Sequence, residues 1–273
     1  MNDLLPERAL GAQSIERAVA ILRIVATAGS DGLKLSDVVT RSALARGTVH
    51  RMLLALIREG LVEQDAQSKL YYLGPEIYVL GTLVSERYGI HTLAQPALSW
   101  LAEVSEDTAF LSVLRGHEIV CMLREEGTYP IKAHVLKAGD RHPLGVSSAG
   151  QAVLAALDDE QVEEVLAANA AIIKARYPRY SPTQVRTLIA DARKSGFAVD
   201  EGLLWPGSWS IGIAVLGPTG MPVGALSIST IQSRMTLARQ KELVRHLRLE
   251  SKWLTDQLSR LQAPKQISRK RGR

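Results

Sequence analysis

The sequence has a single cysteine, Cys121, and no uninterrupted apolar run of about 20 residues, the length that spans a bilayer as a helix. An internal disulfide is excluded, and no membrane-embedded helix is expected. The stretch MNDLLPERALGAQSIERAV lacks a basic start followed by an apolar export core, so a reducing cytoplasm is the expected location. Neither Gly-x-Gly-x-x-Gly nor Gly-x-x-x-x-Gly-Lys-Ser/Thr occurs, which leaves nucleotide chemistry without support. The most informative absence is local. From Arg41 to Arg58 no acidic residue accompanies Arg41, Arg46, Arg51 and Arg58.

The chain has 273 residues, 46% of them hydrophobic, and exceeds one typical domain, so two are expected. The net charge of +5 is less telling than it looks. Five basic residues, Lys265, Arg269, Lys270, Arg271 and Arg273, lie in an acid-free tail, and the rest of the chain is formally neutral. That tail, 263–273, reads as disordered.

Residues 35–74 read as a helix-turn-helix followed by a two-stranded wing. Ser36 is placed to cap a short helix through Val38 and Val39, Ala43 and Leu44 form a turn, and a longer helix runs from Arg46 to Arg58. Val49, Met52, Leu53 and Leu56 recur as one buried stripe, which turns Gly47, Arg51, Leu54 and Arg58 outward, with His50 beside them. Gly60 stops the helix. Leu61–Gln64 and Leu70–Leu73 pair as strands around Asp65–Lys69, with Lys69 at the wing tip. An arginine-bearing helix free of carboxylates suits phosphates and guanine edges, so double-stranded DNA is the expected partner.

Ser14 is expected to cap a first helix whose stripe is Ile15, Ala18, Val19, Leu22, Val25 and Ala26. Glu76–Tyr88 reads as a linker helix with Ile77, Leu80, Leu83 and Val84 on one side. Beyond Thr92 the texture becomes α+β. A helix through Leu98, Leu101 and Val104 precedes strands at Thr108–Leu114 and Glu118–Leu123, and a further strand is expected at Ile131–Leu136. Helices follow at Gln151–Leu157, Gln161–Ala168 and Thr183–Lys194, then a hairpin of Ile211–Leu216 and Val223–Thr230, then a final helix over Leu237–Leu261. Strands interleaved with helices suggest one antiparallel sheet covered by helices.

The blocks SIERAVAILRIV, GTVHRMLLALIREGLVEQD, YYLGPEIYVLG, AQPALSWLAEVSEDTAFLSVLRGHEIV, GDRHPLGVSSAGQAVLAAL, KSGFAVDEG and PVGALSIS resemble, in order, the isocitrate-lyase-regulator (IclR) family. The resemblance implies a bacterial transcription regulator. It would comprise a winged helix-turn-helix over 1–75, a linker helix over 76–90, and a GAF- or profilin-like effector and oligomerisation domain over 91–262. Such proteins dimerise or tetramerise and bind palindromic operators. The chain departs from the family at the turn, where Ser42-Ala43-Leu44 replaces the common Thr-Gly-Leu, and at Ala45-Arg46-Gly47, where Pro-Lys-Ser is frequent.

The expected DNA contacts are Arg46, Gly47, Thr48, His50, Arg51 and Lys69, with Arg51 reading a base and Arg46 and Lys69 touching phosphates. By the resemblance, the effector pocket is lined by Ser148, Ala149, Asp200, Ser208, Ser210, Ser227 and Ser229. Small hydroxyls alternating along one strand face, beside a helix start near Ser148, favour a small organic acid, aromatic acids included. The plainer reading of these serines is small residues in a tight sheet. Trp205 and Trp209 stand either at a pocket wall or in the core.

Two other function classes compete. One is a sensor whose winged domain binds protein, which predicts no salt-sensitive duplex binding. The other is a hydrolase with a vestigial DNA-binding domain, suggested by Ser147, Ser148, His142 and Asp140. No Gly-x-Ser-x-Gly elbow supports it, and no catalytic residue is assigned. His117 and Cys121 fall at i, i+4 in a strand turn, and His134 and His142 are scattered, so neither a metal nor a cofactor is expected.

Overall fold

The structure is a computed structural model that describes residues 12–85, 89–132 and 136–262. These residues fall into two compact units that divide between Tyr88 and Gly89. The expected tail at 263–273 and His134 lie outside the described residues.

The first unit contains α1 (Gln13–Ala26), α2 (Leu35–Ser42), α3 (Arg46–Arg58), β1 (Val62–Gln64), β2 (Tyr71–Leu73) and α4 (Pro75–Ser85). Ile21, Val25, Val38, Val49, Leu53 and Val62 form its core. The expected stripe of α1 is rotated. Ile21 and Val25 are buried, whereas Ile15 is 66% and Val19 39% exposed, because Ala18, Ile21 and Val25 satisfy the same helical repeat from a neighbouring face. Capping also differs. Ala12 precedes α1 without a side-chain cap, and α2 starts after Lys34, whose N–H donates to Asp37 Oδ2 at 3.4 Å, so neither Ser14 nor Ser36 caps.

Between α2 and α3, Ala43 adopts the left-handed conformation (φ 54°) and its N–H returns to the Val39 carbonyl at 3.1 Å. After α3 the antiparallel pair β1–β2 forms the wing, and Leu33 bridges to Tyr71 on its outer side. On α4, Tyr78, Leu80, Leu83 and Val84 are exposed.

The second unit contains α5 (Ile90–Ser105), β3 (Thr108–Arg115), β4 (Glu118–Glu126), β5 (Arg141–Pro143), α6 (Ser147–Ala155), α7 (Asp159–Arg176), α8 (Pro182–Ser195), β6 (Ala198–Asp200), β7 (Ser208–Leu216), β8 (Pro222–Ile231) and α9 (Leu237–Gln262). Its strands form one six-stranded sheet in the order β5-β4-β3-β8-β7-β6, with every neighbouring pair antiparallel. The strand expected at Ile131–Leu136 is absent from its described residues, Ile131, Lys132 and Leu136. The edge strands β5 and β6 are three residues each and carried no sequence signal.

The two faces of this sheet differ in chemistry. Ile211, Ile228, Ala109, Ile213, Leu226 and Leu111 point to one side, where they pack with Leu98 and Leu101 of α5 and Leu243, Leu247 and Leu254 of α9. Burying each large aliphatic chain there contributes about 1.5–3 kcal/mol. The other face is covered by α6, α7 and α8. Asp158 and Gln161 cap α7 reciprocally at 2.8 and 3.3 Å, and Ser181 caps α8 through the Gln184 N–H at 3.2 Å, so both helices start where polar punctuation interrupts the apolar pattern.

Candidate functional site

On α3, Val49, Leu53 and Leu56 are buried, and the opposite side carries the exposed Arg46, Gly47, His50, Arg51, Leu54 and Arg58. Thr48 is half-buried. Ala45 precedes the helix in an extended conformation and offers no side-chain cap, so no side chain competes for the first-turn N–H groups. Arg41 is differently placed: its Nη1 donates to Thr27 Oγ1 at 3.0 Å, tying α2 to the end of α1.

The wing tip is knotted by Asp65. Its Oδ1 accepts the N–H groups of Gln67 (3.2 Å) and Ser68 (2.6 Å) and the Ser68 hydroxyl (2.7 Å), and these bonds hold its carboxyl below the usual carboxylate range. Lys69 follows in the left-handed region (φ 60°), with its carbonyl accepting from Gln64 Nε2 at 3.0 Å, and its side chain is exposed.

In the second unit, strand register brings the expected effector residues onto one face. Residues opposite each other in antiparallel strands share a face. One row therefore reads Asp200, Ser210, Ser229, Thr108 from β6 to β3, and the next reads Ala198, Gly212, Ser227, Phe110, Arg124 from β6 to β4. Ser208 shares that face, two residues before Ser210. Ser227 and Ser229 are buried. Ser148, in the first turn of α6, meets Ser210 hydroxyl to hydroxyl at 2.8 Å.

Gly212 permits this approach. A Cβ there would lie 2.7 Å from the Ser148 carbonyl carbon and 3.0 Å from the Ala149 nitrogen. The backbone of Ala149 thus borders the serine face, while its methyl belongs to an apolar cluster with Leu144, Val146 and Val153.

Asp200 is buried and already engaged. Its Oδ1 accepts the N–H groups of Gly202 (3.1 Å), Leu203 (3.0 Å) and Leu204 (3.3 Å), and its Oδ2 accepts the Tyr180 hydroxyl. Burial pushes its carboxyl up from the ordinary value, against the pull of those donors. The Tyr180 hydroxyl also accepts from the Ser147 N–H at 3.3 Å, joining the loop after β6 to the start of α6. Nothing periodic in the sequence marked Tyr180. Arg124, which pairs with Glu126 at 2.5 Å, is a cation on the serine face that sequence reasoning also missed.

Other expected constellations do not assemble. His142 Nδ1 lies 3.0 Å from the Tyr177 hydroxyl, Asp140 Oδ2 accepts the Lys137 N–H at 2.7 Å, and Ser147 Oγ accepts the Gly150 N–H at 3.4 Å. These residues have separate partners, so the nucleophile, base and orienter geometry is not formed. Burial pulls His142 below its ordinary value, against Asp140 and Glu118. Among the described residues no group of three or more His, Cys, Asp or Glu is placed to hold a metal, and no helix is long and apolar enough to cross a membrane. Trp209 packs into the α5–α9 core, and Trp205 is half-exposed and lines a small cleft together with Tyr177 and Arg179, so neither stands in the serine rows. A separate cavity of about 610 Å³ opens between α7 and α8 with largely apolar walls, and Tyr180 lines it as well.

A helix-turn-helix with a wing, coupled in one chain to a sensor-type sheet whose covered face is small and polar, defines a transcriptional regulator with an effector-binding domain. Residues 14–66 match the family model described as the IclR helix-turn-helix domain, and residues 82–254 match that described as the bacterial transcriptional regulator IclR C-terminal domain. The chain belongs to the IclR family. It is 35% identical over 234 residues to a glycerol operon regulatory protein of Streptomyces coelicolor, covering 85% of this chain and 89% of that one. It is 29% identical over 244 residues to the HTH-type transcriptional repressor AllR of Escherichia coli, covering 86% and 87%. Among solved structures, an IclR homologue from Microbacterium hydrocarbonoxydans complexed with 4-hydroxybenzoate shares the fold. Its TM-score is 0.72 at 22% identity, over 90% of this chain and 98% of that one. An IclR regulator from Alicyclobacillus acidocaldarius superposes with a TM-score of 0.75 at 22% identity, over the same shares.

Proposed function

We propose that this protein is a cytoplasmic repressor that binds a palindromic operator as a homodimer or homotetramer, and that a small organic acid sets its affinity. The observation that carries the reading is the exposed, carboxylate-free face of α3, with Arg46, Gly47, His50 and Arg51 beside the half-buried Thr48. Arg51 is the base reader, and Arg46 and Lys69 meet phosphates. Two copies of α3 enter successive major grooves about one helical turn, or a multiple of it, apart. The working division is a DNA-binding domain over 1–75, a linker helix over 76–90, an effector domain over 91–262 and a basic tail over 263–273.

The effector site is the serine face: Ser148 and Ala149 on α6, Ser208 and Ser210 on β7, and Ser227 and Ser229 on β8, with Asp200 fixing the wall through Tyr180. Small hydroxyls, the Ser148 and Ala149 N–H groups in the first turn of α6 and Arg124 at the margin favour an anionic ligand of modest size. The name AllR repressor and the 4-hydroxybenzoate complex of a fold relative support both halves of the reading. Ligand shifts operator binding only by its differential affinity for the two forms, and operator changes ligand affinity by the same factor.

The test is fluorescence anisotropy of the purified protein on DNA from upstream of its own gene, at low salt, with and without a panel of carboxylic acids. Salt-sensitive binding that an acid alters is expected. Indifference to every fragment under both conditions defeats the reading.

A further inference from the structure

Helix α6 is buried from Ser147 to Leu154, and Gln151 in its middle has no exposed surface. Neither Nε2 nor Oε1 of Gln151 has a hydrogen-bond partner among the described residues. A buried amide left in this state destabilises the fold, a cost that leucine or methionine would avoid in a helix this apolar. The neighbours of Gln151 show where its amide is carried. Ser148 meets Ser210 on β7, and a methyl placed on Gly150 would lie 3.4 Å from the Gly145 nitrogen and 3.6 Å from Leu144 Cα, just after β5, with Ile119 Cγ2 on β4 next at 3.7 Å. Ala152 and Ala155 flank the direction of Ser148 and border a cleft with Phe197 and with Ile213 and Ala214 of β7. At about 100° per residue, Gln151 falls between the directions of Ser148 and Gly150. In the sheet, β8 and β3, which carry Ser227, Phe110 and Ser112, lie between β7 and β4. A second orphan lies on the serine face: the buried Thr108 Oγ1, in register with Ser229, also lacks a partner among the described residues.

We propose that Gln151, its amide placed over β8 and β3, is a specificity-determining residue of the effector pocket, and that the ligand is an acid carrying a second hydrogen-bonding group, a hydroxyl or an amide. The inference rests on the serine face being the effector site, and adds to it the ligand's second functional group. A carboxylate alone can accept from Nε2 but sets its lone pairs against Oε1. A hydroxyl accepts from Nε2 and donates to Oε1, so it satisfies both atoms at once. A site whose buried polar atoms need that group rejects the analogue lacking it, because those atoms then stay unpaired.

The experiment uses full-length wild type, Gln151→Met and Gln151→Leu with two matched probe pairs, lactate against propionate and 4-hydroxybenzoate against benzoate. Calorimetry measures affinity, and thermal melting measures the ligand-free proteins. Wild type is expected to bind the hydroxylated member of at least one pair about tenfold or more tightly than its partner, and Gln151→Met to erase that preference. The ligand-free melting temperature of at least one variant is expected to stay level or rise, since an apolar chain leaves no orphan amide. A lower melting temperature in both variants would make Gln151 a structural residue and overturn the proposal. Equal wild-type affinity within each pair overturns it while leaving the effector site standing. Absence of binding by all four acids removes the effector-site reading itself, and this proposal with it.

Discussion

Ser148 and Ser210 lie 62 residues apart in the chain and meet hydroxyl to hydroxyl at 2.8 Å between α6 and β7. The contact fixes the first turn of the buried helix against the strand that carries the serine row. Replacing Ser210 with alanine leaves the Ser148 hydroxyl without this partner, and a stability loss of about 1 kcal/mol is expected in urea titration. A midpoint equal to wild type would show that the pair contributes nothing to folding.

Gly212→Ala is expected to cost more. Its methyl would press into the backbone of Ser148 and Ala149, which cannot yield as a side-chain end would. Overpacking of this kind costs about 1–3 kcal/mol. The melting temperature should drop, and acid binding measured by calorimetry should weaken as α6 is pushed from β7. Unchanged acid affinity would detach α6 from the ligand site.

His142 supplies a pH prediction. Its folded value is depressed below 6.5 by burial, so between the two values the unfolded chain binds the extra proton. Stability is therefore fully present above pH 6.5 and is lost as pH falls through that value towards the folded one. For a single proton the slope is at most about 1.4 kcal/mol per pH unit. His142→Asn should flatten this part of the stability profile, read as urea midpoints across mildly acidic pH. Parallel profiles for variant and parent would assign the acid sensitivity elsewhere.

For DNA, Arg51→Ala and Lys69→Ala are expected to fail differently. Losing a base contact costs about 1–3 kcal/mol and relaxes the preference at one operator position. Losing a phosphate contact weakens all sequences alike and lowers the salt slope by about 1. Anisotropy titrations on operator and scrambled duplexes at several salt concentrations separate the two. If the two variants lose the same amount on both duplexes, Arg51 is a phosphate contact.

Ala43→Gly should stabilise the first unit. Ala43 sits at φ 54° and ψ 26°, where a Cβ costs about 1 kcal/mol and glycine pays no such strain. The gain is expected as a higher urea midpoint for the variant, with operator affinity retained. A lower midpoint would mean that the turn tolerates its methyl at no cost.

Much of this architecture was legible in the sequence because periodicity reports burial. The stripe Val49, Leu53 and Leu56, the punctuation at Asp158 and Ser181, and the hairpin after Leu216 each carry a local signal that tertiary contacts reinforce. The face of α1 was read wrongly because Ile15 and Val19 fit the repeat as well as Ile21 does, and only packing against α2 and α3 chooses between them. Strands β5 and β6 exist because a neighbouring strand offers its edge, which three residues cannot announce. The resemblance supplied the serines, and register then explained why they share a face. Tyr180, Gly212 and Gln151 stayed hidden, since the importance of each lies in a partner, or an absent partner, far along the chain.

The knot that Asp65 ties across the wing bears on how recognition begins. Five residues, Asp65 to Lys69, are held by bonds internal to the hairpin, so their backbone freedom is surrendered during folding. Ordering a loop of that size on contact would cost about 1 kcal/mol for each residue. If Lys69 meets phosphate as proposed, the backbone that carries it is already ordered at the encounter, and the electrostatic gain is not offset by that ordering.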